Sequence, residues 1–314
     1  MKKIFLTFCA MFFASVSGGF CAYFYADALE QVIQETIPAD LQMSVANEFE
    51  AQMNPETGEI DEQGMYNVCY VAGFDVNTAS GAAECGAFVN AVSNKCVYAS
   101  GNTVHLFDNP VEKEDKVQKC LFLRAMKLAM EYEQGFQQTP GDKGSCICRF
   151  NGTDFDPLDE NGNVVRVKDC AHGGTNFGVT TCFTGLSTQC VKNMTQLDAY
   201  RWYWTHMFYG MGYNKLPWAL RAGVMQLAVA GTGVVAGELK SVVGAQKCGG
   251  SKITDCILNA VNKYMETHTA QEFYNTICEK RKNRYNVSWT KYRTRAERTK
   301  GLVTAYSDCL KLYE

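Results

Sequence analysis

Apolar residues recur at helical spacing along most of the chain, and this pattern predicts a mainly α-helical protein. The first such region is 27–53, where the spacing continues on both sides of Pro38. A second amphipathic helix begins at Val117, and Gly135 is placed to end it. Four further helices are predicted by the same periodicity: 196–208, 218–230, 253–266 and 270–300.

Two short segments depart from the helical period. The polar turn 159–162 before the run 164–167 predicts a β-hairpin, and 177–183 is a short β-rich stretch. Residues 66–106 are rich in small side chains and show no clear period. The predicted fold class is therefore mainly α with a small β-hairpin. We expect residues 23–116 to form a helical and cysteine-rich accessory region.

The N-terminus has the pattern of an export signal. Lys2 and Lys3 precede the uncharged apolar run 4–16, and small residues follow at 17–19. Because the uncharged stretch continues to Tyr25, an uncleaved anchor of about 22 residues is the alternative. Residues 1–22 are therefore predicted to direct the chain to the periplasm or the exterior, with membrane contact only through that anchor.

The cysteine count supports export. The sequence holds 15 cysteines, of which 13 follow residue 22, so at most six disulfides form and one thiol is left over. No CxxC pair or zinc-type spacing is present, so we expect no metal site. Cys146 and Cys148 are interpreted as halves of two separate disulfides, with thiol–disulfide exchange as an alternative. Such a protein is typical of an oxidising compartment.

Composition narrows the class of partner. Hydrophobic residues make up 46% of the chain, which is enough for a sizeable core. The net charge of −3 and a pI near 5.9 argue against a general nucleic-acid-binding protein. We expect a monomer. A local exception is 280–300, which holds nine Lys or Arg residues and one Glu, interleaved with aromatic residues. This stretch would suit an anionic polymer, or form a solvated helix face.

Glu133 is the candidate acid. It is predicted to lie in the last turn of the helix that begins at Val117, between the aromatic residues Tyr132 and Phe136. The negative end of the helix dipole and an apolar environment both disfavour the ionised carboxylate, as a general acid requires near neutral pH. The simpler interpretation is an exposed glutamate at a helix end.

A glycine-bounded polar turn supplies the second motif, His172-Gly-Gly-Thr-Asn-Phe-Gly-Val-Thr180. Together with Glu133-Gln-Gly-Phe136, it resembles motifs of glycoside hydrolase family 108, lysozyme-like N-acetylmuramidases. Residues 195–204 and 215–218 are similar to later helical motifs of that family, and parts of 281–302 to its C-terminal peptidoglycan-binding region. The resemblance covers about residues 117–314, with 213–314 as the peptidoglycan-binding-like part.

The resemblance implies a lysozyme-like α+β fold and hydrolysis of the β-1,4 bond between N-acetylmuramic acid and N-acetylglucosamine. Peptidoglycan strands would be the partner, and no cofactor is implied. Glu133 aligns with the family's catalytic glutamate, and the stretch from Gly173 to Thr180 aligns with the hairpin that lines its cleft. The chain departs from the family at four positions: Gln134, Ala171, Gln226 and Ala230.

These departures concern the second catalytic group. Asp169 is the nearest acidic candidate, and Asp142 is the next. Thr175 would hold a water by hydrogen bonding if no second acid is used. The candidate substrate-binding residues are Asn176, Thr180, His172, Tyr203 and Trp204. The aromatic candidates have core packing as their alternative role, and His172 is otherwise an incidental turn residue.

Two functional classes follow from this sequence. One is an exported muramidase, and the other is a catalytically inactive, disulfide-stabilised wall-binding or structural envelope protein.

Overall fold

The computed structural model describes residues 32–52, 62–94, 96, 98, 101–133, 135–151 and 154–313. It is mostly helical with two small antiparallel sheets, which confirms the predicted fold class. The helices are α1 (Ala39–Gln52), α2 (Glu62–Val71), α3 (Ala79–Asn94), α4 (Gly101–Asp108), α5 (Lys113–Met130), α6 (Thr181–Thr184), α7 (Thr188–Asn193), α8 (Gln196–Trp202), α9 (Trp218–Val229), α10 (Thr232–Val242), α11 (Asp255–Met265), α12 (Ala270–Arg284), α13 (Thr290–Thr299) and α14 (Ala305–Lys311). The strands are β1 (Cys148–Phe150), β2 (Phe155–Pro157), β3 (Thr175–Asn176) and β4 (Val179–Thr180).

The chain divides into two compact units, and each unit is built from two segments. Unit 1 contains residues 1–98 and 135–194, and unit 2 contains residues 99–134 and 195–314. The export signal predicted for residues 1–22 lies outside the described residues.

The helical part of unit 1 has its own core. Residues 32–36 are helical, the helix is interrupted at Pro38, and α1 continues the predicted apolar face. That face packs against α2 and α3, with Val45, Phe49 and Val68 fully buried or nearly so. The disulfide Cys69–Cys85 joins α2 to α3. The buried apolar residues of 66–106 include Val68 and Phe88, and small residues between them obscure the period in the sequence.

The β part of unit 1 is built around two disulfides. Cys146 pairs with Cys170 and Cys148 pairs with Cys182, so the two neighbouring cysteines do belong to separate disulfides. The four cysteines form a small buried cluster. Strand β1 pairs with β2 in antiparallel orientation, and Cys148 lies opposite Pro157. The hairpin predicted at 159–167 is reduced to one bridge between Leu158 and Val164.

Unit 2 is a helical assembly around α9, which is buried along almost its entire length. Helix α5 packs on α9, and the disulfide Cys120–Cys309 ties α5 to α14. Helix α12 approaches α9 closely at Gly223, whose backbone N–H donates to the hydroxyl of Tyr274 at 3.0 Å. A Cβ at Gly223 would meet the Tyr274 ring at 1.8 Å, so only glycine permits this packing.

The predicted helix 196–208 contains a change of winding. Helix α8 passes at Tyr203 into a π-helical segment, Tyr203–Tyr209. In this π-helical segment the side chains of both Tyr203 and Trp204 lie in the core, where they are 1% and 0% exposed. The Trp204 ring packs against a group of aromatic residues: Phe107, Phe122, Phe208 and Tyr209.

Three other predictions need correction. The predicted helix 270–300 is two helices, α12 and α13, separated at 285–289. The β-rich stretch 177–183 contains only β4, because the Thr180 hydroxyl accepts from the N–H of Phe183 and begins the short helix α6. Gly135 does not end α5, which stops at Met130.

The cysteine arithmetic is confirmed among the described residues. Twelve cysteines form six disulfides, and Cys278 is free and buried. Burial raises the pKa of the Cys278 thiol to about 12. Six disulfides indicate a protein that matures in an oxidising compartment. Over the part of the chain that is described, no helix has the length and apolar character needed to cross a membrane.

Candidate functional site

Glu133 lies in the turn that follows α5, three residues after the helix ends. The backbone N–H groups of Tyr132 and Glu133 both donate to the carbonyl of Ala129, so the chain stays coiled for one more turn. The prediction that placed Glu133 inside the last turn of the helix was therefore wrong, because α5 ends three residues earlier, at Met130. The residue still lies at the carbonyl end of α5. Its side chain is 21% exposed.

The Glu133 carboxylate is held by Arg295 of α13. The Arg295 guanidinium donates to Glu133 Oε1, and only 3% of the Arg295 side chain is exposed. The pair therefore joins a buried cation to an anion that reaches the surface. Among the described residues, no hydrogen-bond donor contacts Oε2 of Glu133.

Arg295 is itself fixed by neighbours on α9 and α13. Its Nη2 donates to the carbonyl of Gln226 at 3.2 Å, and its guanidinium carbon lies 5.7 Å from the centre of the Tyr132 ring. The side chain of Gln226 accepts from the Thr299 hydroxyl at 2.5 Å. Gln226 is fully buried, so this residue, where the resembled family has Asp, is part of the support beneath Arg295.

The charges of Glu133 and Arg295 both affect the pKa of Tyr203. Burial raises the pKa of Tyr203 well above its usual value, and the Glu133 carboxylate adds to the increase while Arg295 opposes it. Tyr203 therefore stays protonated, and it contributes a neutral wall beside the pair.

A second ion pair lies on the same turn and can be compared with the pair of Glu133 and Arg295. Glu131 binds Arg298, one helical turn after Arg295 on α13. Its side chains are 40% and 51% exposed, so solvent weakens this pair. Lys291, at the start of α13, donates to the carbonyl of Tyr132 at 3.0 Å. Helix α13 thus fixes the Glu133 turn from several positions.

The glycines of the polar turn are required by close packing within unit 1. A Cβ on Gly174 would meet the Phe136 ring at 2.2 Å, and one on Gly173 would meet the Thr181 hydroxyl at 1.9 Å. The turn between β3 and β4 is Phe177-Gly178, with φ values of +49° and +77°. Two positive φ values in a two-residue loop are typical of a tight hairpin.

The backbone of Thr175 and the side-chain amide of Asn176 are engaged by the protein, whereas Thr175 Oγ1 and Asn176 Oδ1 are buried without a partner among the described residues. The backbone of Thr175 bonds in both directions with Gln137, four residues after Glu133 in the chain. Asn176 is 4% exposed, and its amide donates to the carbonyls of Val191 and Met194 at 2.9 and 3.1 Å. Asn176 therefore braces β3 against the end of α7, a role that its position in the sequence did not reveal.

The remaining candidates of unit 1 lie nearer the surface. Asp169 ends a short 3₁₀ turn and pairs with Arg166 at 3.1 Å, with 46% of its side chain exposed. His172 is exposed beside the isolated bridge to Cys146. Thr180 begins α6, as described above, and Asp142 accepts from the N–H of Gly144 to begin another 3₁₀ turn.

The aromatic candidates of unit 2 are core residues. Trp204 donates from its indole N–H to the carbonyl of Thr103 at 2.5 Å and is surrounded by other rings. Tyr203 is equally buried. Neither ring offers a face to solvent in this structure, so both pack the core, the alternative that the sequence left open.

The basic stretch 280–300 is largely neutralised within the protein. Arg281 binds the buried Glu238 at 2.6 Å, Arg295 and Arg298 hold the two glutamates after α5, and Lys300 binds Glu297. Sequence reasoning missed these roles because each partner but one is distant in the chain. The available signal was the spacing of Arg295 and Arg298, which places both on one face of α13.

Comparisons with known proteins leave the family open. No protein-family model matches the chain, and no curated protein matches it. The chain has a distant likeness to the structure of Brucella abortus SagA, with 21% identity over 59% of this chain and 95% of that chain. The TM-score is 0.42, and at this value the likeness supports no inference about function. The resemblance to glycoside hydrolase family 108 stays a sequence-based prediction.

Proposed function

We propose that the protein is an exported peptidoglycan hydrolase in which Glu133 is the general acid. The bond cleaved would be the β-1,4 link between N-acetylmuramic acid and N-acetylglucosamine. One observation carries the proposal: the partly exposed carboxylate of Glu133 is held by the buried Arg295, which is itself fixed by the protein. The choice of peptidoglycan rests on the sequence resemblance described above.

The two oxygens of Glu133 have different environments, and only one of them is held by a described residue. Oε1 accepts from Arg295, so a proton on the carboxyl resides on Oε2. No described residue donates to Oε2, so it is available to a substrate atom. Fixing one oxygen restricts rotation of the carboxyl and holds the other in one direction, which lowers the entropy cost of reaching the transition state.

The chemistry requires a protonated carboxyl at the glycosidic oxygen. As the bond between the anomeric carbon and that oxygen breaks, its electron pair stays on the oxygen, which takes the proton from Oε2. A water molecule then adds to the positively charged sugar carbon and loses a proton. Arg295 stabilises the carboxylate that Glu133 becomes after it has given up its proton. Asp169 remains the sequence-based candidate for the group that accepts the proton from water.

The test is clearing of purified peptidoglycan by the mature protein, together with the variant Glu133→Gln. Glutamine keeps an oxygen that can accept from Arg295 but cannot deliver a proton. We expect clearing by the wild type, new muramic-acid reducing ends in the products, and a loss of about 100-fold or more in the variant.

Glu131→Gln is the matched control, because it removes a carboxylate from the same turn and breaks the equivalent pair with Arg298. It should clear peptidoglycan at the wild-type rate. A folded wild type that pellets with peptidoglycan but releases no reducing ends would refute the hydrolase and favour the inactive binding protein. Equal losses in the two variants would show that Glu133 acts only through stability.

A further inference from the structure

A cleft of about 540 Å³ opens between α10 and α12 of unit 2, and a cleft of this size can hold one small molecule. We call it the α10–α12 cleft. Its lining comes from three residues of each helix: Gly237, Glu238 and Ser241 of α10, and Lys280, Asn283 and Arg284 of α12. The three residues of α12 lie three and four positions apart, so they share one face of that helix.

Glu238 brings a buried carboxyl group to this cleft. The residue is 6% exposed, and its Oε2 accepts from Nε of the buried Arg281 at 2.6 Å. Its Oε1 is also buried and accepts no hydrogen bond from any described residue, while Nε of Arg284 lies 3.5 Å from it. A buried acceptor without a donor is uncommon in folded proteins, because it has lost its water and gained no partner. A hydrogen-bond donor on a bound molecule would satisfy Oε1.

The charge of the cleft is positive. Lys280, Arg281 and Arg284 all act on the one carboxyl of Glu238, so three cations face one anion and leave an excess of two positive charges. Lys280 is exposed and has no hydrogen-bond or ion-pair partner among the described residues. The side chain of Arg284 is 56% exposed. Both cations can therefore reach an anion in the cleft. A phosphate monoester carries a charge of about −1.5 to −2 near neutral pH, which matches this excess, and it accepts paired hydrogen bonds from arginine.

The neighbours of Glu238 also decide which kind of donor suits it. A neutral hydroxyl suits Oε1 better than an ammonium group, because Arg281 and Arg284 flank the carboxyl and would repel a further cation. Gly237 leaves the α10 wall of the cleft without a side chain, and a Cβ there would lie in open space. A sugar ring can therefore lie against this helix.

We infer that the α10–α12 cleft binds a sugar phosphate, whose phosphate contacts Lys280 and Arg284 and whose hydroxyl donates to Oε1 of Glu238. Asn283 and Ser241 can each donate and accept a hydrogen bond, so they suit the other hydroxyls of the sugar. The sugar phosphate is either free in solution or part of a lipid head group. The inference does not depend on the proposed hydrolysis, because it involves none of the residues proposed for that reaction.

The test is isothermal titration calorimetry of the oxidised protein with glucose 6-phosphate, for which we expect one saturable site. Gly237→Leu fills the cleft and should weaken binding by about tenfold or more. Gly233→Leu is its matched control, because Gly233 lies one turn earlier on α10 and a Cβ there is also in open space. Arg284→Met removes a phosphate contact and should weaken binding about tenfold, whereas Lys263→Met, which removes an exposed cation of α11, should bind like the wild type. Far-ultraviolet circular dichroism checks that all variants fold.

The choice of ligands separates the outcomes. Inorganic phosphate should bind more weakly than glucose 6-phosphate, and equal affinities would show an adventitious ion only and overturn the inference. Equal affinity for a muramic-acid disaccharide, which carries a carboxylate and no phosphate, would overturn it as well. Vesicles that contain lipid A, compared with phosphatidylcholine vesicles, distinguish the source: pelleting that Gly237→Leu abolishes and Gly233→Leu preserves identifies a lipid head group. If binding of neither glucose 6-phosphate nor lipid A depends on Gly237, the inference is wrong.

Discussion

Replacing Glu133 and replacing Arg295 break the same ion pair, but we expect unequal losses of stability. Arg295 is 3% exposed and Glu133 is 21% exposed. Glu133→Ala leaves a buried guanidinium whose described partner is the carbonyl of Gln226. Arg295→Met leaves a carboxylate that can turn to water, and the methionine fills much of the space of the arginine stem.

The magnitudes follow from these exposures. Leaving one member of a buried pair without its partner costs about 3–5 kcal/mol. Water can enter beside Glu133, so the lower end applies, and Glu133→Ala should cost about 3 kcal/mol. Arg295→Met loses charge-assisted hydrogen bonds but strands no buried charge, and should cost about 1–2 kcal/mol. For a unit of this size, the midpoint of thermal unfolding falls by about 2–4 °C for each kcal/mol.

The assay is urea unfolding followed by circular dichroism, with the disulfides kept oxidised, supported by thermal scans. Glu131→Ala and Arg298→Met provide the exposed comparison, and each should cost no more than about 1 kcal/mol. An Arg295→Met protein that is less stable than Glu133→Ala would refute the argument, because the cost would then not follow the buried partner. Equal effects at the exposed pair and at the buried pair would refute it as well.

Two further predictions concern packing and the free thiol. Gly174→Ala should cost about 1–3 kcal/mol, because its methyl group would overlap the Phe136 ring, whereas Gly233→Ala, in open space on α10, should be neutral or stabilising in the same unfolding assay. Cys278 should resist iodoacetamide at pH 8 until the protein unfolds, as mass spectrometry would show. Modification of the native thiol at pH 8 would contradict this prediction. Because folding raises the pKa of Cys278 to about 12, the buried thiol's contribution to stability should be complete below about pH 8.5 and should decline as the pH rises above that value.

The helices of unit 2 could be predicted because their apolar faces are regular. Helices α9 and α11 begin and end within two residues of the predicted bounds, because α9 is surrounded by the core and α11 turns one apolar side toward it. The break at 285–289 was missed because the segment contains no proline or glycine. Arg293 stabilises that break by donating to the carbonyls of Lys282 and Tyr285. These two hydrogen bonds could not be predicted from the local sequence pattern.

The candidate site was predicted in part. Glu133 stood out because the sequence predicts it in the last turn of an amphipathic helix, but Arg295 lies 162 residues later and could not be associated with it from one sequence. Asn176 was selected for its motif, and the structure gives it three backbone acceptors in the interior. A motif identifies residues that a turn needs, and it does not separate those that support the turn from those that face a ligand.

The disulfide connectivity has a consequence for how the chain matures. Among the six disulfides of the described residues, Cys69–Cys85 and Cys248–Cys256 alone join cysteines that are consecutive in the sequence. Cys146–Cys170 and Cys148–Cys182 interlock, and Cys120 must wait for Cys309, 189 residues later. An oxidase that joins thiols in their order of emergence would therefore produce mostly wrong pairs. Production of active protein should depend on a disulfide isomerase, which corrects such pairs through mixed disulfides.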